Sequence, residues 1–256
     1  MIRVFALFAL AYSVLGALNQ LQAEAPPEHH FIFQADTAPL ESQSEAETLL
    51  SEAMVASLNI VEGRLDAIGG LAYQLDYRGG DRIGLILIGE NARQLAQDVF
   101  GIQGDLSFRL VNEAVVSGEG GEGISPSGSE ILPMAEGANL LAVRLDGGIA
   151  GKHLDGASLG FNEGTGEPAV NVRFDEAGKE QFAALTQANI GKRLAIVLDG
   201  RILSAPVILE PITDGIVQIS GSFTHEEAQR LAVTLWGGAL PLRFYMIEHS
   251  KAEAAE

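Results

Sequence analysis

The chain has 256 residues, 47% of them hydrophobic, enough to bury one large core or two small ones. Its 34 Asp and Glu against 16 Lys and Arg leave a formal charge of -18 at pH 7 with no cluster of cations, and phosphate binding needs such clusters to release counterions, so nucleic acid is excluded as a partner. The absence of cysteine excludes a disulfide framework, a thiolate metal site and a cysteine nucleophile.

In chain order, Arg3 followed by the apolar run Val4 to Leu18 and then Ala23-Glu24-Ala25 has the three parts of a secretory signal. The expectation is an exported, periplasmic chain cut after Ala25. The alternative is a retained anchor, residues 4–18, holding the chain at the inner-membrane surface; a span needs about 20 apolar residues and this core is shorter. Residues 26–42 read as a linker, because Pro26-Pro27 and the polar Ser/Glu run oppose packing, with Phe31-Ile32-Phe33 available only as an edge strand. Glu28-His29-His30 supplies too few converging ligands for zinc, and His153, His225 and His249 are scattered, so neither metal nor cofactor is expected.

Glu45 to Ile68 reads as a helix with Leu49, Leu50, Met54, Leu58, Val61 and Leu65 on one side. Strands follow at 71–77 and 83–88, then a helix at 91–100 and a strand at 106–111. Val116 to Ser129 is a Gly/Ser-rich connection. Its Gly118-x-Gly120-x-x-Gly123 matches a dinucleotide fingerprint in letters only, since Ser125-Pro126 stands where a capped helix must begin. Gly156-Ala-Ser158-Leu-Gly160 likewise lacks the strand, turn and helix of a nucleophile elbow, so no catalytic residue is assigned and no enzyme is expected. Asp175 caps a helix reaching Asn189, and Leu194 to Ile208 folds as a hairpin about Asp199-Gly200, a dipeptide that tolerates positive φ. Thr224-His-Glu-Glu227 is a capping box, after which Ala228, Leu231, Ala232 and Leu235 repeat at helical spacing until Gly237-Gly238; a strand over 242–247 follows.

Several of these segments carry a resemblance. Thr186-Gln-Ala-Asn189-Ile-Gly191 running into Leu198-Asp199-Gly200, then Ser204-Ala-Pro206, Gln218-Ile-Ser-Gly221-Ser-Phe-Thr224-His-Glu-Glu227 and Gly238-Ala-Leu-Pro241 resemble, in that order, the first periplasmic domain of SecD, a membrane subunit of the bacterial Sec translocase. Upstream, Asp81-Arg-Ile83, Phe108-Arg-Leu-Val111 and Pro126-Ser-Gly128-Ser-Glu130-Ile-Leu-Pro133 continue the match, which covers about Glu45 to Glu248. The resemblance implies an α+β fold: a ferredoxin-like antiparallel sandwich, the base, at 43–113 and 223–250, carrying an inserted second α+β lobe, the head, at 114–222, with a tail at 251–256. It implies a non-enzymatic domain that binds translocating or unfolded polypeptide, or Sec membrane subunits, at the outer face of the inner membrane. A stand-alone periplasmic binding or scaffold protein is the alternative. The chain departs from the family by ending before its further transmembrane helices, so proton conduction is not expected of it, and by carrying Gly63 and Trp236 where the family has basic residues. The positions singled out are the turn and cap residues Asp199, Gly200, Pro206, Gly221, Thr224 and Glu227, and Trp236 as a candidate partner contact.

Overall fold

The computed structural model describes residues 26–114 and 128–252. The leader expected at 1–25, the Gly118-x-Gly120-x-x-Gly123 stretch and residues 253–256 lie outside the described residues.

Residues 28–35 alternate, with His29, Phe31, Phe33 and Ala35 buried and His30, Ile32 and Gln34 half-buried. A period of two is that of a strand with one face on a core, and Glu28–Ala35 is β1. It is an interior strand. β13 (Phe244–Lys251) pairs with it on one side and β3 (Arg82–Ile88) on the other, with β2 (Tyr73–Gly79) beyond, all antiparallel. The expected linker over 26–42 is therefore corrected: Pro26-Pro27 precede the first strand residue, where a missing N–H breaks no ladder. Helices α1 (Ala46–Ile68) and α2 (Ala92–Gly101) contribute Met54, Val61, Leu65, Val99 and Phe100 to the core of this sheet. Phe100 stacks on Phe33 at 3.9 Å between ring centroids and meets Phe244 edge-on at 5.4 Å.

The strand expected at 106–111 does not extend this sheet. β4 (Leu106–Leu110) enters a second sheet of order β11-β10-β4-β7, made with β10 (Leu194–Leu198), β11 (Arg201–Ser204) and β7 (Ile149–Ala150). Both faces of this sheet meet a hydrophobic core, and its interior strand β10, Leu194 to Leu198, is accordingly apolar along its whole length. Phe108, Leu194 and Ile196 face one core, while Ala195, Val197 and Ile202 face a smaller one closed by β5 (Ser129–Pro133) and β6 (Leu140–Arg144) through Leu132 and Val143. The larger core also takes Phe182 of α3 (Glu176–Ala188) and the inner face of a third sheet, β12 (Ile216–Ser220), β9 (Pro168–Phe174) and β8 (Leu154–Phe161).

Helix α4 (His225–Gly237) corrects a second expectation. Rather than completing the first sheet's sandwich, it buries Ala228, Leu231, Ala232 and Leu235 in the second core against β8 and β9, with α1 alongside. Only β13, the strand after it, returns to the first sheet. The fold is mixed α+β with several antiparallel sheets. Among the described residues no helix is long and apolar enough to cross a membrane.

Candidate functional site

Two features stand out from the packed framework. The first is the segment that leaves β11. Pro206 and Pro211 lack N–H groups, so the chain cannot continue as a ladder strand across them. It is tied instead at separate points: Leu194 N donates to Pro206 O at 2.9 Å, Ile208 N to Lys192 O at 2.9 Å, Gly191 N to Ile208 O at 2.8 Å, and Ile212 N to the Thr186 hydroxyl at 3.0 Å. Thr186 is fully buried and in turn donates to Phe182 O, so the segment is anchored on α3.

Between these ties lies a groove of about 490 Å³, with Phe108, Phe182, Leu194 and Ile196 in its floor. Its rim exposes apolar side chains: Leu209 is 83% accessible, Ile216 49% and Val207 47%. Exposed apolar side chains grouped around one groove mark a binding surface more often than chance exposure does. The groove also reaches a free sheet edge, since β12 is the terminal strand of its sheet and Gln218 lines the groove. Phe174 N donates to Gly215 O in register with the β12–β9 pairing, so by alternation the backbone groups of Val217 and Ile219 face β9 while those of Gln218 and Ser220 face outward. Glu210 and Asp214 place carboxylates beside this edge, and Asp214 accepts from Ile216 N at 3.1 Å.

The second feature is the junction where the chain crosses from one core to the other, at 101–105 and again at 238–243. Arg64, about one turn before the C-terminal end of α1, is fully buried there. Its Nη1 donates to Val99 O and Ile102 O, both at 2.7 Å, and its Nη2 to Gln103 O at 3.0 Å and Gly238 O at 2.7 Å. One guanidinium thus closes the C-terminal ends of α2 and α4 together, where carbonyls lack helical partners. Burial pushes its pKa down to about 10, opposed by the field of Asp199, so it is charged at neutral pH. A Cβ added at Gly104 or Gly237 would come within 2.9 Å or 2.7 Å of the Arg64 side chain, which reserves both positions for glycine.

Comparison with known proteins bears on both features. The SecDF P1 head subdomain model matches residues 129–242. The SecD translocase subunit of Magnetococcus marinus is 35% identical over 244 residues, covering 92% of this chain and 46% of its own length. That of Acetobacter pasteurianus is 36% identical over 199 residues, covering 77% of this chain and 37% of its own. Over the described residues the chain is similar to the periplasmic domain of SecD. Among solved structures, SecDF in its super-membrane-facing form superposes with a TM-score of 0.68 at 27% identity, over 88% of this chain and 30% of that one. A further SecDF structure, of a membrane component described as enhancing protein export, gives 0.62 at 26% identity over 86% of this chain and 98% of that one. This chain spans less than half the length of either SecD relative.

Within this SecD-like domain the singled-out residues fall into four places. Asp199 and Gly200 form the β10–β11 turn with φ of 49° and 76°, a primed turn. The Asp199 carboxylate does more than turn the chain: it accepts from Gln103 N at 3.0 Å and Asp105 N at 2.8 Å, pinning the first crossing beside Arg64. Pro206 belongs to the groove. Gly221 lies under the Phe223 ring ahead of α4, and Thr224 and Glu227 exchange the two hydrogen bonds of a capping box, 3.2 and 2.8 Å. Trp236, 56% accessible, sits at the end of α4 beside Gly63 and, with Ser158 and Arg173, borders a cavity of about 370 Å³. Ser158 itself is mid-strand, opposite Asn171, with no histidine or carboxylate bonded to it among the described residues. His29 and His30 point to opposite faces of β1, His29 meeting His249 and His30 meeting Glu28 at 2.7 Å.

Sequence reasoning missed Arg64 and the groove. A charged residue inside an apolar helical stripe, at the spacing of Val61 and Leu65, was the available signal for the former. Val207, Leu209 and Ile212 between two prolines were the signal for the latter.

Proposed function

We propose that this domain assists protein translocation at the outer face of the inner membrane by holding an extended polypeptide segment in the groove bordered by Val207, Leu209 and Ile216. The exposed apolar groove within the stretch similar to the SecDF head carries this reading. An extended chain fits because the β12 edge offers outward backbone groups for strand addition while the Phe108 and Phe182 floor takes an apolar side chain. Glu210 and Asp214 favour segments that carry cationic residues, as does the formal charge of -18. The same reading divides the molecule into a ferredoxin-like base built on the β13-β1-β3-β2 sheet and a head of roughly residues 105–238, hinged at the Arg64 junction, with Sec membrane subunits as the neighbours of the base.

A photo-crosslinking side chain at position 209 or 216 should capture secreted precursors in cells at native expression level. Capture of no precursor overturns the reading, and a deletion strain with normal export kinetics would favour a periplasmic scaffold instead. In solution, Leu209→Asp should weaken binding of an unfolded, cationic and apolar peptide by about tenfold or more, because burying a leucine contributes about 1.5–3 kcal/mol. Unchanged affinity with an unchanged melting temperature would remove the groove from the binding site.

A further inference from the structure

Away from the groove, at the far end of the first sheet, two histidines join the strands by which the described chain enters and leaves it. His29 opens β1 and His249 lies near the end of β13; His29 Nδ1 and His249 Nε2 are 2.9 Å apart, with the rings within 9° of coplanar. His249 also stacks on Phe31 at 4.6 Å, directly across the ladder. One residue further, Ala252 N donates to Glu28 O at 2.8 Å, so both directions of the chain depart from this spot.

The two rings differ in surroundings. His29 is 7% accessible and its Nε2 has no partner among the described residues, whereas His249 is exposed. A neutral imidazole carries one N–H and one lone pair. The pair therefore satisfies itself when His29 Nδ1–H donates to His249 Nε2, leaving only a lone pair in the dry. Protonating His249 makes its Nε2 a donor, which forces the His29 proton onto the buried Nε2 where nothing accepts it, and a buried donor without a partner is costly. A second proton sets two cations against each other. The charged groups whose fields reach His29 are His249 and Lys251 on β13, both opposing its protonation, and Glu90 after β3, favouring it; burial opposes it most and holds its pKa below the ordinary value.

We propose that His29 and His249 form a proton-sensitive clasp that binds the end of β13 to the start of β1 at neutral pH and releases it in mild acid. The sign follows from His29: once released it takes up a proton that it resists in the closed pair, so closure is complete above the ordinary histidine pKa of 6.5 and is lost as pH falls below it. Because β13 is the terminal strand of its sheet, its last residues can part from β1 without opening the core.

Hydrogen exchange of the full chain from about pH 8 to 5, corrected for intrinsic rate, tests this. Protection of the amides on the β1–β13 seam, those of His30 and Ile32 on one strand and of Glu248, Ser250 and Ala252 on the other, should fall by about tenfold or more relative to β3, the equivalent of one pKa unit. In His249→Phe, which keeps the ring on Phe31 and cannot titrate, that fall should vanish. Constant protection in the unaltered chain, or an equal fall in the variant, overturns the clasp. Should the variant fail to fold, imidazole nitrogen shifts of the unaltered chain decide: two independent titrations at the ordinary value refute the proposal, and a coupled one tracking the β13 signals supports it.

Discussion

Asp199 shows how one side chain comes to serve two structures. Its backbone at φ 49° lies in the left-handed region that the two-residue hairpin demands, and Asp is among the few non-glycine residues that tolerate it. The same geometry aims its carboxylate at the backbone N–H groups of Gln103 and Asp105, 96 and 94 residues away in sequence. Asp199→Val removes both acceptors and places a β-branched residue at positive φ, so a loss of about 2–4 kcal/mol is expected from two charge-assisted bonds and the strained turn. Asp199→Asn keeps the conformation and one acceptor oxygen, and should lose about half as much. Urea unfolding of both variants checks the order; equal losses would show that only the turn matters. The turn was legible from Asp-Gly between two apolar arms, whereas its partners were not, because nothing local in residues 103–105 announces a distant acceptor.

At the scale of elements, α4 is the case in which local and tertiary information separate most cleanly. Thr224-His-Glu-Glu227 specifies where the helix begins, and the two side chains of the box each accept from a backbone N–H at its first turn. Thr224→Ala should therefore cost about 1 kcal/mol, measured by thermal unfolding. The Glu227 carboxylate is held below its ordinary pKa of 4.5, first by the Thr224 N–H. A depressed carboxylate stabilises the fold above its unfolded value, and that contribution is lost as pH falls through the lowered one. Glu227→Gln should accordingly flatten the acid limb of the stability profile below about pH 4.5 relative to the unaltered chain. Which core the helix serves was not legible: an apolar stripe states that a face is buried, not against what. β1 failed in the opposite way. Its alternation over 29–35 was present in the residues, but two prolines and a polar run downstream outweighed it, and its central place depends on β13, more than 200 residues away.

Over the whole molecule, two large hydrophobic clusters are joined by two chain crossings, and Arg64 holds those crossings together. Its contribution is a matter of cooperativity as well as stability. Arg64→Leu leaves four carbonyls without their donor in a closed space; at about 1–3 kcal/mol for each group that water cannot reach, the loss should reach about 3 kcal/mol or more. Because those carbonyls belong to both crossings, the variant should also unfold in two steps, one per core, with tryptophan fluorescence from Trp236 and far-ultraviolet dichroism no longer coincident. A single coincident transition in Arg64→Leu would show that α1 and α4 couple the cores by packing alone.

Local chemistry determined what local energies decide: the helices of 46–68, 92–101, 176–188 and 225–237, the β10–β11 turn, the cap of α4 and the order of motifs shared with SecD, each written in neighbouring residues and the periods 3.6 and 2. Tertiary structure decided the partners of those elements: β1 in the middle of a sheet, β4 with β10, α4 on the second core, Arg64 beneath two helix ends, His29 against His249, and a groove whose floor comes from 108 and 182 while its rim comes from 207 to 216. Burial is non-directional and names no partner in advance, so pairings between residues far apart in the chain arise only when the folded backbone brings them within hydrogen-bond reach.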